Sequence, residues 1–471
     1  MRLLLFFLLV TGNFCAFAQD STLTFNIQTT FSGSTSSTPF WMHSNMHGVV
    51  PLQKTYASGH FGVYKIYNVN NPRLLQFSGG AEIITNYSIK SEVFFTDIYG
   101  AVRFGKIEFL VGQKRNQTGI MDSTLSSGSL SISGNSRPMP RFQISTPDFV
   151  PFNFTNGLVS FKASYSDGFL GSSKILLGST NQIPSTYLHQ KQIYFRIGNR
   201  ESRLKIYAGV NHQAIWGSEN KITPAYDRTF LNTYWHVITG KSIDYRKVGF
   251  HFGTYDIAGE WQGKEWMFMF YRQNIYENGS LFKVINFVDG LNGIKIRRRK
   301  SANTSLFTIN SAVFEVIGTK DQRNRYSNPT LEIYKTGNYY NDFIYARGWS
   351  YYDRSMGTPL ISSKDRTLQE PASSGMQFSN NNRIWAFHGG LTASWKQISF
   401  MFKGTFSKNF GTYIDPFLSG RNQLSMIIMA EKKVPFLNGL TLNAGLASDV
   451  GDLYPNSNGV VLGLKKAGFL N

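Results

Sequence analysis

The sequence is nearly without cysteine: 471 residues hold one, Cys15. A single thiol cannot pair within the chain, so a disulfide scaffold is excluded. Charge is scarce as well, at 16% of residues, and acidic residues are scarcer still: 28 Asp+Glu against 48 Lys+Arg, a net charge of +20. Beyond residue 20 no run of about 18 apolar residues occurs, which leaves no transmembrane helix. Intrinsic disorder is excluded by the opposite excess, since 41% hydrophobic residues can bury a large core. The chain also lacks H-E-x-x-H, C-x-x-C, a P-loop and G-x-S-x-G, so no motif supplies a metal, phosphate or acyl-enzyme chemistry. Neither a cofactor nor an enzymatic activity is expected.

Aromatic residues and glycine are abundant: 39 Phe, 24 Tyr, 8 Trp and 44 Gly. Length alone suggests about three soluble domains, but low charge with many aromatics and glycines suits a multi-stranded sheet with aromatic belts and tight turns. The N-terminus fixes the compartment. Arg2, the apolar run Leu3 to Val10 and the small-residue site Ala16-Phe17-Ala18 form, in order, the three regions of a secretory signal peptide over residues 1–18. Cleavage after Ala18 leaves residues 19–471 as a cysteine-free barrel domain, with Arg2 removed and a net charge of +19. A chain that leaves the cytoplasm without disulfides needs another source of stability, and a closed hydrogen-bonded barrel provides it.

Alternation of apolar and polar residues runs through the whole chain. Leu204, Ile206, Ala208 and Val210 share one face of their segment, with Lys205, Tyr207, Gly209 and Asn211 on the other. Ile398, Phe400, Phe402 and Phe406 oppose Ser399, Lys403, Thr405 and Ser407; Leu440, Leu442, Ala444 and Leu446 oppose Thr441, Asn443 and Gly445. Period 2 marks a strand with one apolar and one polar face. Similar segments start near Leu23, Phe61, Leu74, Val93, Ile107, Leu158, Ile193, Val248, Trp266, Val284, Ile294, Leu306, Ile384, Leu424 and Val460. The expectation is an all-β fold: a transmembrane antiparallel barrel of about 18 strands, apolar face to lipid and polar face to the lumen. No blade repeat of about 40–45 residues points to a propeller instead. Trp235, Tyr255, Trp266, Trp385 and Trp395 are assigned to interfacial girdles at strand ends, and the aromatic excess is assigned to lipid-facing surface rather than to a dry core. Residues 114–156, rich in Ser, Gly and Pro, and 318–382, rich in Asn, Tyr, Gly and Ser, are read as long extracellular loops or lumen inserts.

Two segments are candidate ligand sites. Arg297, Arg298, Arg299 and Lys300 form the densest basic run, which would attract an anionic ligand such as an acidic polysaccharide; a basic rim against lipid phosphates, or a solvated turn, is the structural alternative and the weightier one. Trp349, Tyr351, Tyr352 and Arg354 combine rings that could stack on sugar C–H faces with a hydrogen-bonding cation; an aromatic girdle beside a long loop is the structural alternative. His43 and His47 lie four apart but lack a carboxylate to complete a metal site, so they are read as loop or lumen residues.

Several strings carry a family resemblance. Ser123 to Pro140 (Ser-Thr-Leu-Ser-Ser-Gly-Ser-Leu-Ser-Ile-Ser-Gly-Asn-Ser-Arg-Pro-Met-Pro), followed by Ile144 to Pro151, resembles the signature of the Wzi family of capsule assembly proteins. Thr38-Pro-Phe-Trp41 with Asn45 and Gly48, Gly348-Trp-Ser-Tyr351 with Met356-Gly-Thr-Pro-Leu360, and Gly459 to Leu470 are similar to further family segments. The resemblance implies an outer-membrane barrel of about 18 strands with a lectin-like role, holding capsular polysaccharide at the cell surface. It also implies a small helical plug, for which no helix is legible between Gln19 and Gln53. The implied partners are outer-membrane lipid, capsular or other surface polysaccharide and the polysaccharide export machinery; nucleic acid is not among them. The competing expectation, from the positive charge, is an anion-selective diffusion channel.

Overall fold

The computed structural model describes residues 22–68, 71, 73–223, 229–243, 246–277, 286–299, 307–322, 337–368, 377–434 and 439–470. Eighteen antiparallel strands close into one barrel. In chain order they are β1 (Leu23–Ser34), β2 (Thr55–Lys65), β3 (Leu75–Tyr87), β4 (Glu92–Phe104), β5 (Ile107–Gln113), β6 (Pro140–Ser145), β7 (Val159–Lys174), β8 (Gln182–Ile197) and β9 (Leu204–Trp216). The second half runs β10 (Phe250–Gln262), β11 (Trp266–Glu277), β12 (Gly290–Arg298), β13 (Thr308–Gly318), β14 (Ile384–Trp395), β15 (Ile398–Gly411), β16 (Pro416–Val434), β17 (Leu440–Gly451) and β18 (Ser457–Phe469). Each pairs with its chain neighbour, and β1 closes the sheet against β18, with Thr24 opposite Phe469. Closure leaves no unpaired edge, which is what lets strands cross a bilayer.

The alternation in sequence is the alternation in space, with the usual polarity inverted. Leu204, Ile206, Phe402, Phe406, Leu442 and Leu446 are 38–59% exposed on the outer wall, whereas Lys205, Asn211, Lys403, Thr405 and Asn443 are buried inside. A wall that turns phenylalanine and leucine outward is stable only against lipid. Trp261, Trp266 and Trp395 ring one end of this wall, at the end or start of their strands. Trp235 does not belong to a strand: it lies on a helix in the β9–β10 connection.

The two rims differ. Connections after even-numbered strands are short, as at 105–106, 263–265 and 396–397; those after odd-numbered strands include 35–54, 114–139, 217–249 and 319–383. Barrels of this type turn their short connections to the periplasm and their long ones outward. The stretch 114–156 is therefore not one loop. Residues 114–139 belong to the outer rim, β6 crosses the wall, and 146–158 returns at the short-turn rim. Pro140–Ser145 has only six residues and opens on proline, too short for its period to register. The strand expected from Val284 starts outside the described residues, as do the leader and Lys300, and the one from Ile294 falls within β12.

Of the long outer connections, 35–54, 114–139 and the described part of 319–383 fold back into the lumen, and 217–249 does not. The plug is mostly non-helical: α1 (Phe40–His43) is a single turn, and residues 117–139 and 338–363 fill the space as irregular chain. The barrel's polar inner wall holds this chain by hydrogen bonds. Glu315 of β13 accepts from Ser126 Oγ at 2.7 Å, Ser127 N at 2.7 Å, Ser127 Oγ at 2.5 Å and Tyr271 OH at 2.6 Å. His388 meets Leu125 O at 2.7 Å, and Gln273 Oε1 accepts from Leu130 N at 3.1 Å. At the centre lies a dry aromatic cluster: Trp349, Tyr339, Tyr340 and Tyr345 are fully buried with Phe250 and Phe252 of β10. The aromatic excess thus serves a core as well as the lipid belt. Gly348 and Gly357 are placed by this packing, since a Cβ at Gly348 (φ +52) would strike the Tyr340 carbonyl and one at Gly357 the Tyr340 hydroxyl and Leu130 carbonyl.

Glu315→Gln removes charge from a carboxylate that takes four donors at once. The barrel should lose about 2–3 kcal/mol, read as a lower thermal midpoint, and residues 123–135 should become open to protease before the wall unfolds.

Candidate functional site: the outer mouth of the barrel

Above the plug, the described chain turns outward in a small hairpin, in which Ser350–Tyr351 pairs with Arg354–Ser355. The two turn residues, Tyr352 (φ 49) and Asp353 (φ 57), both adopt left-handed backbone, the conformation of a tight primed turn. The turn lifts Tyr352 out of the mouth, 60% exposed. Tyr351 supports it edge to face at 4.7 Å between ring centroids. The Arg137 guanidinium lies 4.6 Å from the Tyr352 ring and 3.5 Å over Phe94, and donates to Glu92 at 2.7 Å.

Beside the hairpin, two more arginines converge on one imidazole. Arg354 Nη1 is 3.1 Å from His43 Nδ1, and its Nη2 donates to Val50 O at 2.6 Å. Arg366 Nη2 is 2.8 Å from His43 Nε2. A neutral imidazole has one acceptor nitrogen, so only one guanidinium can be satisfied by the ring. The other faces an N–H. Burial, then the charges of Arg366 and Arg354, hold the His43 pKa well below its ordinary value. Burial, then Arg366 and Arg137, lower that of Arg354 to about 9. The mouth thus gathers three guanidinium groups, with Glu92 paired to Arg137 and the charge of Asp449 acting on Arg366. The cleft these groups line, with Asp353, Tyr454 and Phe40, holds only about 30 Å³. A carboxylate oxygen or a water fits; a sugar ring does not. Ring contacts must therefore be made on the exposed surface around Tyr352. Among the described residues, no group of three His, Cys, Asp or Glu could hold a metal ion.

The structure separates the two segments singled out in the sequence. Arg297, Arg298 and Arg299 stand at the short-turn rim, the opposite end of the barrel from Tyr352. Arg297 shares the inward face with Lys295, which pairs with Asp122 at 2.7 Å. Arg298 faces outward, 5.6 Å from the Trp266 ring, and Arg299 Nη1 donates to Gly263 O at 2.5 Å. Trp349 is not a surface platform: it is fully exposed to nothing but protein, with Phe252 at 5.2 Å and its Nε1 donating to Ser131 O at 2.7 Å. Tyr351, Tyr352 and Arg354 do reach the mouth. Sequence reasoning missed Arg137 and Arg366, which lie in no cluster, and weighed His43 only as a metal ligand. Their meeting depends on chain contacts more than 300 residues apart, which no local pattern carries.

No family model and no curated protein matches this sequence. Solved structures do match. The chain is similar over 94% of its length, and 85% of the other chain, to Wzi of Escherichia coli, with a TM-score of 0.58 at 14% identity. Wzi is described as an outer-membrane protein involved in group 1 capsule assembly and a carbohydrate-binding β-barrel. Weaker likenesses are to OprD of Pseudomonas aeruginosa (TM-score 0.46, 9% identity, 96% of each chain) and OccAB2 of Acinetobacter baumannii (TM-score 0.48, 8% identity, 96% and 99%). At these identities the likeness is one of fold: an 18-strand outer-membrane-type barrel.

The buried imidazole gives the mouth a pH dependence. Above pH 6.5, the ordinary imidazole value, His43 is neutral whether the plug is folded or not. Below it, the unfolded segment takes a proton that the folded site refuses, so stability falls as pH drops toward the lowered folded value. Protection factors over residues 40–47, after correction for the intrinsic pH dependence of amide exchange, should fall between pH 6.5 and 5, and His43→Asn should flatten that dependence.

Proposed function

We propose that the chain is a non-catalytic surface polysaccharide-binding protein of the outer membrane, which helps assemble or retain an acidic capsular or other surface polysaccharide. The observation that carries this reading is the contrast between lumen and mouth. The outer half of the lumen is packed with Trp349, Tyr339, Tyr340 and the Ser123–Pro140 segment, while the mouth above exposes the Tyr352 ring beside three partly buried guanidinium groups, those of Arg137, Arg354 and Arg366. A tyrosine ring suits the C–H face of a sugar, and guanidinium groups suit its carboxylate or phosphate. The likeness to a carbohydrate-binding barrel supports the same reading. Each contact is weak and the cleft is small, so retention would come from a repeating polymer engaging many copies. The Arg297–Arg299 run takes no part in this site; at the short-turn rim its natural counterpart is lipid phosphate.

Purified barrel should bind acidic but not neutral polysaccharide, with binding falling as salt rises. Tyr352→Ala and Arg137→Ala should each weaken it about 5–30-fold, corresponding to ~1–2 kcal/mol. Unchanged binding in both variants would remove the mouth as the site. In a planar bilayer the intact barrel should be silent; open, anion-selective steps would favour the channel instead.

A further inference from the structure

The outer wall carries a polar patch where lipid requires an apolar one. On β7, Tyr165 and Asp167 share the outward face with Phe161 and Phe169; on β8, His189 and Lys191 share it with Ile193 and Phe195. His212 of β9 and His251 of β10 continue the patch. Phe169 above it and Phe195 and Ile257 below it are 40–57% exposed, so the patch lies within the apolar band. Yet His189, His212 and His251 are 0–3% exposed.

A helix in the β9–β10 connection covers them. With the single turn Glu219–Ile222 as α2, this helix is α3 (Phe230–Thr239), capped by the Thr229 side chain and ended by left-handed Gly240. It lies outside the barrel, against the wall. Tyr234 OH donates to Asp167 Oδ2 at 2.5 Å and is 2.7 Å from Tyr165 OH. Val237 packs with Ala214, Trp216 and Val248. Lys191 Nζ and Lys247 Nζ donate to the carbonyls of Ile238 and Gly240, so the helix C-terminus neutralises wall-side cations. Asp167 in turn meets His189 Nδ1 at 3.1 Å, and His212 Nε2 meets His251 Nδ1 at 2.8 Å. Without the helix, an aspartate, a lysine and three histidines would face hydrocarbon and lose their hydration. The face of α3 turned away from the wall holds Phe230, Leu231 and Trp235, 62%, 75% and 56% exposed.

We propose that α3 is an in-plane, lipid-bound helix: Phe230, Leu231 and Trp235 insert among the acyl chains of the outer leaflet, and the helix's inner face seals the Asp167–His189–Lys191 patch from them. The occupant is membrane lipid, because the exposed face continues the lipid-contacting wall above and below it. An amphipathic helix with Trp, Phe and Leu on one side is the type that seats itself in a membrane interface.

The sequence favours a clean test. With Cys15 replaced, Leu231→Cys, Ile257→Cys and Tyr352→Cys each place one fluorescent label, on α3, on the barrel wall and at the mouth. In phosphatidylcholine vesicles, brominated acyl chains should quench the labels at Leu231 and Ile257 several-fold more than the one at Tyr352, and aqueous iodide should show the reverse order. If iodide quenches the Leu231 label as strongly as the Tyr352 label, the helix faces water and the proposal fails. The tryptophan difference between the unlabelled chain and Trp235→Phe reads the same two quenchers without altering Leu231: loss of bromolipid-quenched emission supports the lipid seat, and loss of iodide-quenched emission overturns it.

Discussion

Everything inside this barrel answers one constraint: an inward wall built of polar side chains must be satisfied without bulk water where chain has filled the lumen. A buried polar group with no partner costs several-fold more than a hydrogen bond returns. The solution is a strand-sized length of serine-rich chain. Ser126, Ser127, Ser129, Ser131 and Ser133 are all at most 3% exposed, small enough to thread between the wall and the aromatic cluster; Ser126 and Ser127 donate to Glu315, and Ser133 to the Gly357 carbonyl. The plug is therefore complementary to the wall in hydrogen-bond capacity, as a hydrophobic core is complementary in shape. Helix would be a poor choice for such a filler, because it keeps its backbone groups to itself; extended and turning chain offers them to the wall.

This explains what could be read in the sequence. Strands were legible because lipid and lumen impose opposite demands on successive residues, and the period-2 record of that demand survives in β9, β15 and β17. The strand count matches at eighteen although β6 carries only a short alternation, Phe142 and Ile144 outward against Arg141 and Ser145 inward. The plug was not legible as structure, because Ser123 to Pro140 alternates only over Ser129 to Ser133 and forms no strand there; it stood out as a string resembling a known family. Its meaning is physical once seen in place: the serines meet an acid, and Gly348 and Gly357 make room for Tyr340.

The candidate site was legible in one half. Tyr351, Tyr352 and Arg354 reach the mouth because a tight turn lifts them there, and a cluster of aromatic and basic residues in a long loop was a fair signal. Trp349, two residues from Tyr351, points the other way for the same reason that any hairpin root does: it anchors what the tip displays. The basic run at Arg297 was the stronger local signal and sits at the opposite rim from Tyr352, since charge density in one segment says nothing about which rim it occupies. Rim identity is a property of strand parity, and parity is lost if a single strand such as β6 is overlooked.

The closing pair β1–β18 also bears on assembly. The Arg354–His43 contact and the Trp349–Ser131 contact join chain segments 311 and 218 residues apart, and the barrel cannot shut until β18 reaches β1. Long loops must be gathered before any of these contacts repays the entropy of gathering them. Contact order this high makes for slow assembly. The plug contacts and the seam close loops of hundreds of residues alike, so the filling and the closing of this molecule draw on the same chain entropy.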